Sequence, residues 1–333
     1  MPLLEIKNLV TAFHTPAGRV PAVDGVSLSI NRGTTLGLVG ESGCGKSVTA
    51  LSILRLVSAP GVIESGEILL ENGSSTQNLV TLGERELCRV RGGRIGMIFQ
   101  EPMTSLNPVF TLGDQIAEAV HLHEKVSRAE ARLRSLEMLK LVRMADPEQR
   151  LHEYPHQLSG GMRQRVMIAM ALVCRPDLVI ADEPTTALDV TIQAQILDLL
   201  SAVRKRLSTA ILLITHDLGV VAETCDEVAV MYAGKIVERA PTAELFSRPL
   251  HPYTIGLIAA RPTPGASRSV PLRTIPGMVP LPHNFPSGCR FHPRCAYAQF
   301  PRCQTEPAEL REVTPGHFVR CHFAGELDVP QNH

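Results

Sequence analysis

The stretch Gly40-Glu-Ser-Gly-Cys-Gly-Lys46-Ser47 decides the fold, because it completes the pattern G-x-x-x-x-G-K-[ST]. Its glycines let the backbone curl so that N–H groups point inward at phosphate oxygens. The lysine can reach the β- and γ-phosphates of a nucleotide, and the serine hydroxyl can bind Mg²⁺. An apolar run, TLGLVG at 35–40, precedes the motif, and a helical run, KSVTALSILRLV, overlaps its end. This strand–loop–helix context disfavours the alternative of an ordinary glycine-rich turn.

Three more apolar runs end in polar residues, as buried parallel strands with ligands at their carboxyl ends do. The runs are RIGMIF, DLVIA and AILLIT, and they lead to Gln100, Asp182 and His216. Asp182 can bind the magnesium shell, and Glu183 beside it can polarise a water molecule. An acidic pair after a strand is by itself better explained as a solvated loop, but the phosphate loop upstream favours the catalytic interpretation.

Composition limits the possible functions. The 333 residues fit one large domain with an appendage, and Lys+Arg balance Asp+Glu at 33 each, so no basic field supports a nucleic-acid partner. No run of 18 or more apolar residues occurs, so we expect no span across a bilayer. Glu5 lies where a signal peptide needs an apolar stretch, which predicts a cytosolic, reducing location.

A further motif makes a family resemblance specific. The segment Leu158-Ser-Gly-Gly-Met-Arg-Gln164 resembles the LSGGQ signature of ABC ATPases, with Met162 where Gln is usual. Three more motifs occur in the family's order, resembling its Q-loop, D-loop and switch histidine: Gln100-Glu101-Pro102, Ala187-Leu188-Asp189 and His216-Asp217.

The resemblance implies an α/β fold of the P-loop NTPase (ABC ATPase) type. It predicts a mostly parallel core sheet, an N-terminal antiparallel β part, a helical insert at about 103–173 and a small Cys/Pro-rich C-terminal extension. We accordingly expect an ABC nucleotide-binding domain at 1–240, a Pro-rich extension and linker at 241–288, and a Cys-cluster segment at 289–333. Fifteen of the 25 prolines follow Ala240, which supports this division.

The resemblance also implies a head-to-tail pair of ATPases, with ATP between the phosphate loop of one chain and the signature of the other. Ser159 and the glycines after it open a predicted helix, whose N–H groups form a second anion-binding end. The resemblance further makes Glu183 the general base and places His216 at the γ-phosphate. Phe13 is the candidate for stacking on adenine, with core packing as the alternative.

These inferences give three sets of candidate residues. The catalytic residues are Lys46, Gln100, Glu183 and His216. The residues expected to contact nucleotide are Phe13, Gly40, Glu41, Ser42, Gly43, Cys44, Gly45, Lys46, Ser47, Val48, Ser159, Gly160, Gly161 and Asp189. The expected Mg²⁺ ligands are Ser47, Gln100 and Asp182.

Cys44 precedes a helix N-terminus, whose field lowers the pKa of a thiol and raises its reactivity. We therefore expect inactivation by a maleimide, against which bound ATP-Mg protects. A buried, inert sulfur is the alternative.

Other segments resemble the oligopeptide/dipeptide/nickel importer ATPases: Phe99-Gln-Glu-Pro-Met-Thr-Ser-Leu-Asn-Pro108, His251-Pro-Tyr253 and Cys289-Arg-Phe-His-Pro-Arg-Cys295. This resemblance implies ATP-driven uptake of peptides or similar small solutes through two membrane-spanning permease subunits, with a solute-binding protein acting indirectly. It implies a second homologous ATPase rather than a homodimer, at the cytoplasmic face of the cell (inner) membrane. Peptide, nickel chelate, opine and glutathione remain open as solutes.

The main alternative is a soluble ABC ATPase that acts on nucleic acid or ribosomes. Such proteins typically carry long coiled coils or two nucleotide domains. This chain has one set of motifs and no sustained heptads.

Cys289, Cys295, Cys303 and Cys321 crowd into one C-terminal stretch. A reducing compartment disfavours disulfides, and structural zinc sites usually contain C-x₂₋₄-C pairs, which are absent here. The surrounding Pro-rich chain has few apolar residues, so a metal staple would supply stability. With the importer resemblance, this predicts a [4Fe–4S] cluster; zinc and no metal are the alternatives.

Overall fold

A computed structural model describes residues 1–100, 105–186, 188–260 and 274–327. The chain forms two compact units that interleave along the sequence. Unit 1 comprises Met1–Glu5, Ser29–Thr35 and the described residues of Leu69–Ile214. Unit 2 comprises Ile6–Leu28, Leu36–Ile68 and the described residues from Thr215 onward.

The strands of the described chain are β1 (Leu4–Thr15), β2 (Gly18–Ile30), β3 (Thr35–Val39), β4 (Gly61–Asn72), β5 (Ser75–Asn78), β6 (Ile95–Ile98), β7 (Leu178–Asp182), β8 (Ala210–Thr215), β9 (Glu227–Tyr232), β10 (Lys235–Pro241), β11 (Arg311–Thr314) and β12 (His317–Val319). Its α-helices are α1 (Lys46–Ile53), α2 (Glu84–Val90), α3 (Leu112–His123), α4 (Arg128–Leu141), α5 (Pro147–Arg150), α6 (Gly160–Leu172), α7 (Val190–Leu207), α8 (Leu218–Thr224), α9 (Thr242–Ser247), α10 (Pro252–Ala259) and α11 (Arg302–Thr305).

Unit 1 contains the parallel strands that carry the acidic motif. β7 pairs in parallel with β6 on one side and with β8 on the other. All residues of β7 and β8 are buried, which explains why both strands have continuous apolar sequences. Because parallel strands end at the same edge of a sheet, the residues that follow β6 and β7 come close together there.

The predicted helical insert also lies in unit 1, where α3, α4 and α6 pack against one another. Each of these helices begins at a hydroxyl side chain that caps a free backbone N–H group. Thr111 accepts from the N–H of Asp114, Ser127 from that of Glu130, and Ser159 from that of Met162. Within the described ranges, no helix combines the length and apolar character that crossing a membrane demands.

Unit 2 contains a mixed sheet that includes the strand before the phosphate loop. β3 pairs in parallel with β9, whereas β9–β10, β10–β12 and β11–β12 are antiparallel. The antiparallel pair of β4 and β5, with Leu69 opposite Asn78, belongs to unit 1. These parallel and antiparallel sheets with intervening helices confirm the predicted α/β class.

Within unit 2, sheet pairing and a buried carboxylate hold the C-terminal segment in place. Glu238 is fully buried, and its carboxylate accepts hydrogen bonds from the N–H groups of Leu250 at 2.7 Å and His251 at 2.9 Å. The imidazole Nε2 of His317 lies 2.7 Å from the same carboxylate. Val319 of β12 pairs with Glu238 of β10 and packs with Leu250 and Ala324.

The predicted [4Fe–4S] cluster at Cys289, Cys295, Cys303 and Cys321 is wrong. Among the residues that the structure describes, no group of three or more His, Cys, Asp or Glu side chains is arranged to hold a metal ion. The prediction assumed that this segment lacked other sources of stability, but strand pairing and the buried Glu238 network supply it.

Candidate functional site

The phosphate loop joins the buried strand β3 to α1 in unit 2. Close packing makes glycine necessary at two of its positions. A Cβ atom at Gly40 would lie 2.2 Å from the carbonyl oxygen of Met231, and one at Gly45 would lie 2.3 Å from that of Ala22. Gly45 also has a φ of +110°, which side chains disfavour. The backbone at Met231 and Ala22 therefore packs directly against the loop, and only glycine fits at Gly40 and Gly45.

Lys46 is the first residue of α1 and is buried. Its ammonium group donates hydrogen bonds to the carbonyl oxygens of Gly40 at 2.8 Å and Glu41 at 3.2 Å. These are bonds within the loop, so the cation is positioned to exchange them for bonds to phosphate oxygens. Ser47 and Val48 follow in the first turn of the helix and are half-buried.

The expected reactivity of Cys44 does not agree with its position. The thiol is fully buried, and this burial raises its pKa, although the neighbouring Lys46 ammonium acts in the opposite direction. Desolvation of the thiolate therefore outweighs the field of the helix N-terminus. The alternative of an inert sulfur is the better description.

We expect a maleimide at pH 7 to modify the exposed Cys88 on the order of 10-fold faster than Cys44. Only the thiolate reacts, so raising the pH increases labelling of Cys44 as the pH approaches its raised pKa. Mass spectrometry of peptides after timed labelling measures both rates, and the Cys88→Ser variant confirms the assignment. Faster labelling of Cys44 than of Cys88 at pH 7 would contradict its burial.

The acidic motif at the end of β7 is built around a strained residue. Asp182 is the buried last residue of the strand, and Glu183 follows with a φ of +45°, which is rare for a side chain of this kind. The N–H group of Glu183 donates to the carbonyl oxygen of Ile214 at 2.9 Å, which fixes this conformation. Strain of this kind costs about 1–3 kcal/mol and is often found at functional sites.

Side chains of Gln100 and Thr186 help to orient the Glu183 carboxylate. The amide Nε2 of Gln100 donates to Oε2 at 3.1 Å, and the Thr186 hydroxyl donates to the same oxygen at 2.9 Å. The structure thus brings Gln100 and Glu183 together. Thr186 was missed by the sequence analysis, although a hydroxyl three residues after Glu183 was a usable signal.

The signature and D-loop residues lie at helix N-termini in unit 1. Ser159 caps α6, and Asp189 caps α7 by accepting from the N–H group of Ile192 at 3.0 Å. Ser159 and Gly160 are exposed, while much of α6 behind them is buried. Ala187 of the D-loop lies outside the described residues, as do Glu101 and Pro102 of the Q-loop.

Two candidates lie in unit 2 outside the phosphate loop. His216 directly follows β8 and is exposed. Phe13 is half-buried, and its ring lies so close to Gly61 that a Cβ atom there would approach the ring Cε1 at 2.7 Å. Its stacking on adenine remains a prediction.

The expected magnesium ligands all carry oxygen atoms. Ser47, Gln100 and Asp182 offer a hydroxyl, an amide oxygen and a carboxylate, and hard cations such as Mg²⁺ prefer oxygen ligands. This donor set fits Mg²⁺.

Comparisons with known proteins cover both parts of the chain. A family model described as ABC transporter matches residues 23–186, and one described as Oligopeptide/dipeptide transporter, C-terminal region, matches residues 237–303. The probable peptide ABC transporter ATP-binding protein y4tR of Sinorhizobium fredii is 53% identical over 98% of this chain and 96% of its own length. The oligopeptide transport ATP-binding protein AppD of Bacillus subtilis is 51% identical over 99% of both chains.

Solved structures with the same fold include ATP-binding cassettes. A dimeric post-hydrolysis structure of the cassette MJ0796 with ADP and Pi has a TM-score of 0.63 at 27% identity. It covers 72% of this chain and 98% of that one. A second dimeric structure of MJ0796, described as a bacterial ABC transporter cassette, also has a TM-score of 0.63, at 28% identity.

Proposed function

We propose roles in ATP binding and hydrolysis for residues of this chain, which belongs to the ABC transporter family of ATP-binding proteins. It is an ATPase that powers the import of peptides, at the cytoplasmic face of the membrane. Its partners are the membrane-spanning permease subunits and, indirectly, a substrate-binding protein.

The observation that carries the catalytic assignment is the geometry of Glu183. Gln100 and Thr186 donate to Oε2 and orient the carboxylate at the carboxyl end of β7, and an oriented carboxylate can act as a general base. We assign Glu183 as the general base that takes a proton from the water attacking the γ-phosphate. Gln100 orients this base, and His216 contacts the γ-phosphate.

Lys46 binds the phosphates by exchanging its bonds within the loop for charge-assisted bonds to phosphate oxygens. Ser47, Gln100 and Asp182 would hold Mg²⁺. When bound, this ion neutralises charge on the β- and γ-phosphate oxygens. The remaining candidates in the loop, from Ser42 to Val48, contribute N–H groups, and Gly40 and Gly45 allow its close packing.

The active ATPase is a head-to-tail pair in which Ser159, Gly160 and Gly161 contact the ATP of the opposite chain. Support comes from the exposed capping serine and glycine at the start of α6, whose N–H groups suit an anion. The two structures of the cassette MJ0796 are dimeric, which supports a pair of ATPase chains. We propose a second, homologous ATPase subunit as the partner.

Two family matches, at 23–186 and 237–303, support separate functions for the two parts of the chain. Residues 1–240 bind and hydrolyse ATP. Residues 241–288 and 289–333 form the extension that distinguishes peptide importers from other members of the family.

A permease subunit docks beside the start of α3. Val109 and Phe110 are exposed there by 71% and 52%. A cavity of about 810 Å³ adjoins Phe110 and is lined by residues of both charges, including Asp114, Glu118 and Arg132. An apolar rim with charged walls suits a short amphipathic helix of the partner. Residues 101–104, which precede Val109 and Phe110 in the chain, lie outside the described residues.

We expect Val109→Cys to form crosslinks with a cysteine on a cytoplasmic loop of the permease, with a yield that changes when ATP binds. Leu133→Cys is the control, because Leu133 is also half-exposed but lies on α4. Gel electrophoresis of the assembled transporter with and without ATP measures the yield. Equal crosslinking of Val109→Cys in both states would contradict a coupling role.

The proposed function is tested by assembly. Co-expression with the permease subunits and a second ATPase should retain this chain in the membrane fraction, with ATPase activity stimulated by peptide-loaded binding protein. An ATPase activity that is independent of the permease and of peptide would contradict the transport role.

A further inference from the structure

Glu41 places a carboxylate inside the loop that binds polyphosphate, directly after Gly40. Its side chain is 31% exposed. Like charges a few ångströms apart repel each other, so an uncompensated carboxylate here weakens the binding of ATP. Lys46 cannot compensate fully, since its ammonium group is required at the phosphates.

Arg294, 253 residues further along the chain, pairs with this carboxylate. Its Nη1 donates to Oε2 of Glu41 at 2.7 Å, and its Nη2 donates to Oε1 at 3.0 Å. Two parallel bonds of this kind give an arginine–carboxylate pair both strength and a fixed orientation. The arginine side chain is only 5% exposed, so the pair is screened little by salt.

Backbone carbonyl groups and an aromatic ring also fix the orientation of Arg294. Its Nε donates to the carbonyl oxygen of Pro276 at 2.8 Å, and Nη2 also donates to that of Gly277 at 3.3 Å. The guanidinium carbon lies 5.8 Å from the ring centre of Tyr232, within the range of a cation–π interaction. The cation is therefore held in place by backbone carbonyl groups of the C-terminal extension and by Tyr232 of β9.

The extension also binds the backbone of Glu41. The N–H group of Glu41 donates to the hydroxyl of Tyr253 at 2.9 Å. Tyr253 is fully buried, with ring centres of Tyr232 and Phe291 at 4.7 and 5.4 Å. An aromatic cluster thus fixes the first turn of the phosphate loop.

We propose that Arg294 is a positioning residue for ATP. It neutralises Glu41 and, with Tyr253, fixes the first turn of the phosphate loop, so the C-terminal extension acts directly on ATP affinity. This inference rests on the proposed role of the loop in binding ATP.

The test compares variants of the full-length chain by titration with a fluorescent ATP analogue and Mg²⁺, and by KM and kcat in the assembled transporter. Arg294→Met should raise the Kd and KM for ATP by roughly 10-fold and leave kcat within about twofold, since one charge pair is lost. Adding Glu41→Gln to Arg294→Met should recover most of the affinity, because the unpaired carboxylate is removed. Arg302→Met is the matched control: this arginine pairs with Glu306 at the surface of the same extension, and its variant should bind like wild type.

Wild-type affinity of Arg294→Met, together with lost binding by Lys46→Ala, would overturn this inference and leave the ATP site intact. An equally weak double variant would also overturn it, because the loss would then be structural. Normal ATP binding by Lys46→Ala would instead contradict the proposed function. If Arg294→Met does not fold, as judged by circular dichroism, Arg294→Lys with and without Glu41→Gln must show the same recovery, since lysine cannot form the paired bonds.

Discussion

Replacing Glu183 with Gln is expected to lower ATP turnover by about 10²–10⁴-fold while ATP binding is retained. The amide keeps the shape of the side chain, and its oxygen can still accept hydrogen bonds from Gln100 and Thr186. It cannot accept the proton of the attacking water. ATP that binds and is not hydrolysed should hold the two ATPase subunits together. Single-turnover ADP formation and size-exclusion chromatography with ATP measure the two effects.

The control is Glu130→Gln, which makes the same chemical change in an ion pair with Arg134 on α4. We expect wild-type turnover for this variant, because surface ion pairs contribute little. Hydrolysis by Glu183→Gln at a near-normal rate in the assembled transporter would show that another group accepts the proton.

Replacing Lys46 with Ala is expected to weaken ATP binding by roughly 100-fold, equivalent to about 3 kcal/mol, and to lower hydrolysis as well. The buried ammonium is the cation of the loop, and its loss leaves the phosphates without their charge-assisted bond. Titration with a fluorescent ATP analogue measures the affinity. Lys46→Ala should therefore weaken ATP binding, whereas Glu183→Gln should keep binding and lose only hydrolysis.

The matched control is Lys235→Ala, since Lys235 is also in unit 2 but pairs with Asp24 at 3.2 Å outside the loop. Its variant should keep the wild-type affinity for ATP. A loss of the same size in both variants would mean that the effect of Lys46→Ala comes from weakened folding.

Local sequence predicted the features that depend on local structure. The phosphate loop was recognisable because glycines, a strand and a helix follow one another within 20 residues. Gln100 and Glu183 meet because β6 and β7 are parallel neighbours that end at one edge of the sheet. The positive φ of Glu183 was not, since the bond from its N–H group to Ile214 depends on tertiary structure.

Burial and long-range contacts explain what the sequence analysis missed. The field of a helix N-terminus predicted a reactive Cys44, but only the folded chain shows that desolvation is larger. The four cysteines after residue 288 suggested an iron–sulfur cluster, because the Pro-rich sequence showed no sign of another source of stability. The pairing of β12 with β10, which supplies that stability, is a long-range contact that the local sequence does not reveal. The pair between Glu41 and Arg294 joins two motifs that the sequence analysis treated separately.

The central claim is that this chain powers peptide import, and ATP-driven peptide transport in vesicles tests it most directly. The complete transporter is reconstituted in vesicles with this chain on the outside, the binding protein inside, and a labelled peptide mixture in the lumen. ATP added outside should drive export of peptide from the lumen, which corresponds to import in the cell, and Glu183→Gln should abolish it. Peptide movement that is equal without ATP, or with Glu183→Gln, would contradict the assignment of this chain as the ATPase that powers import.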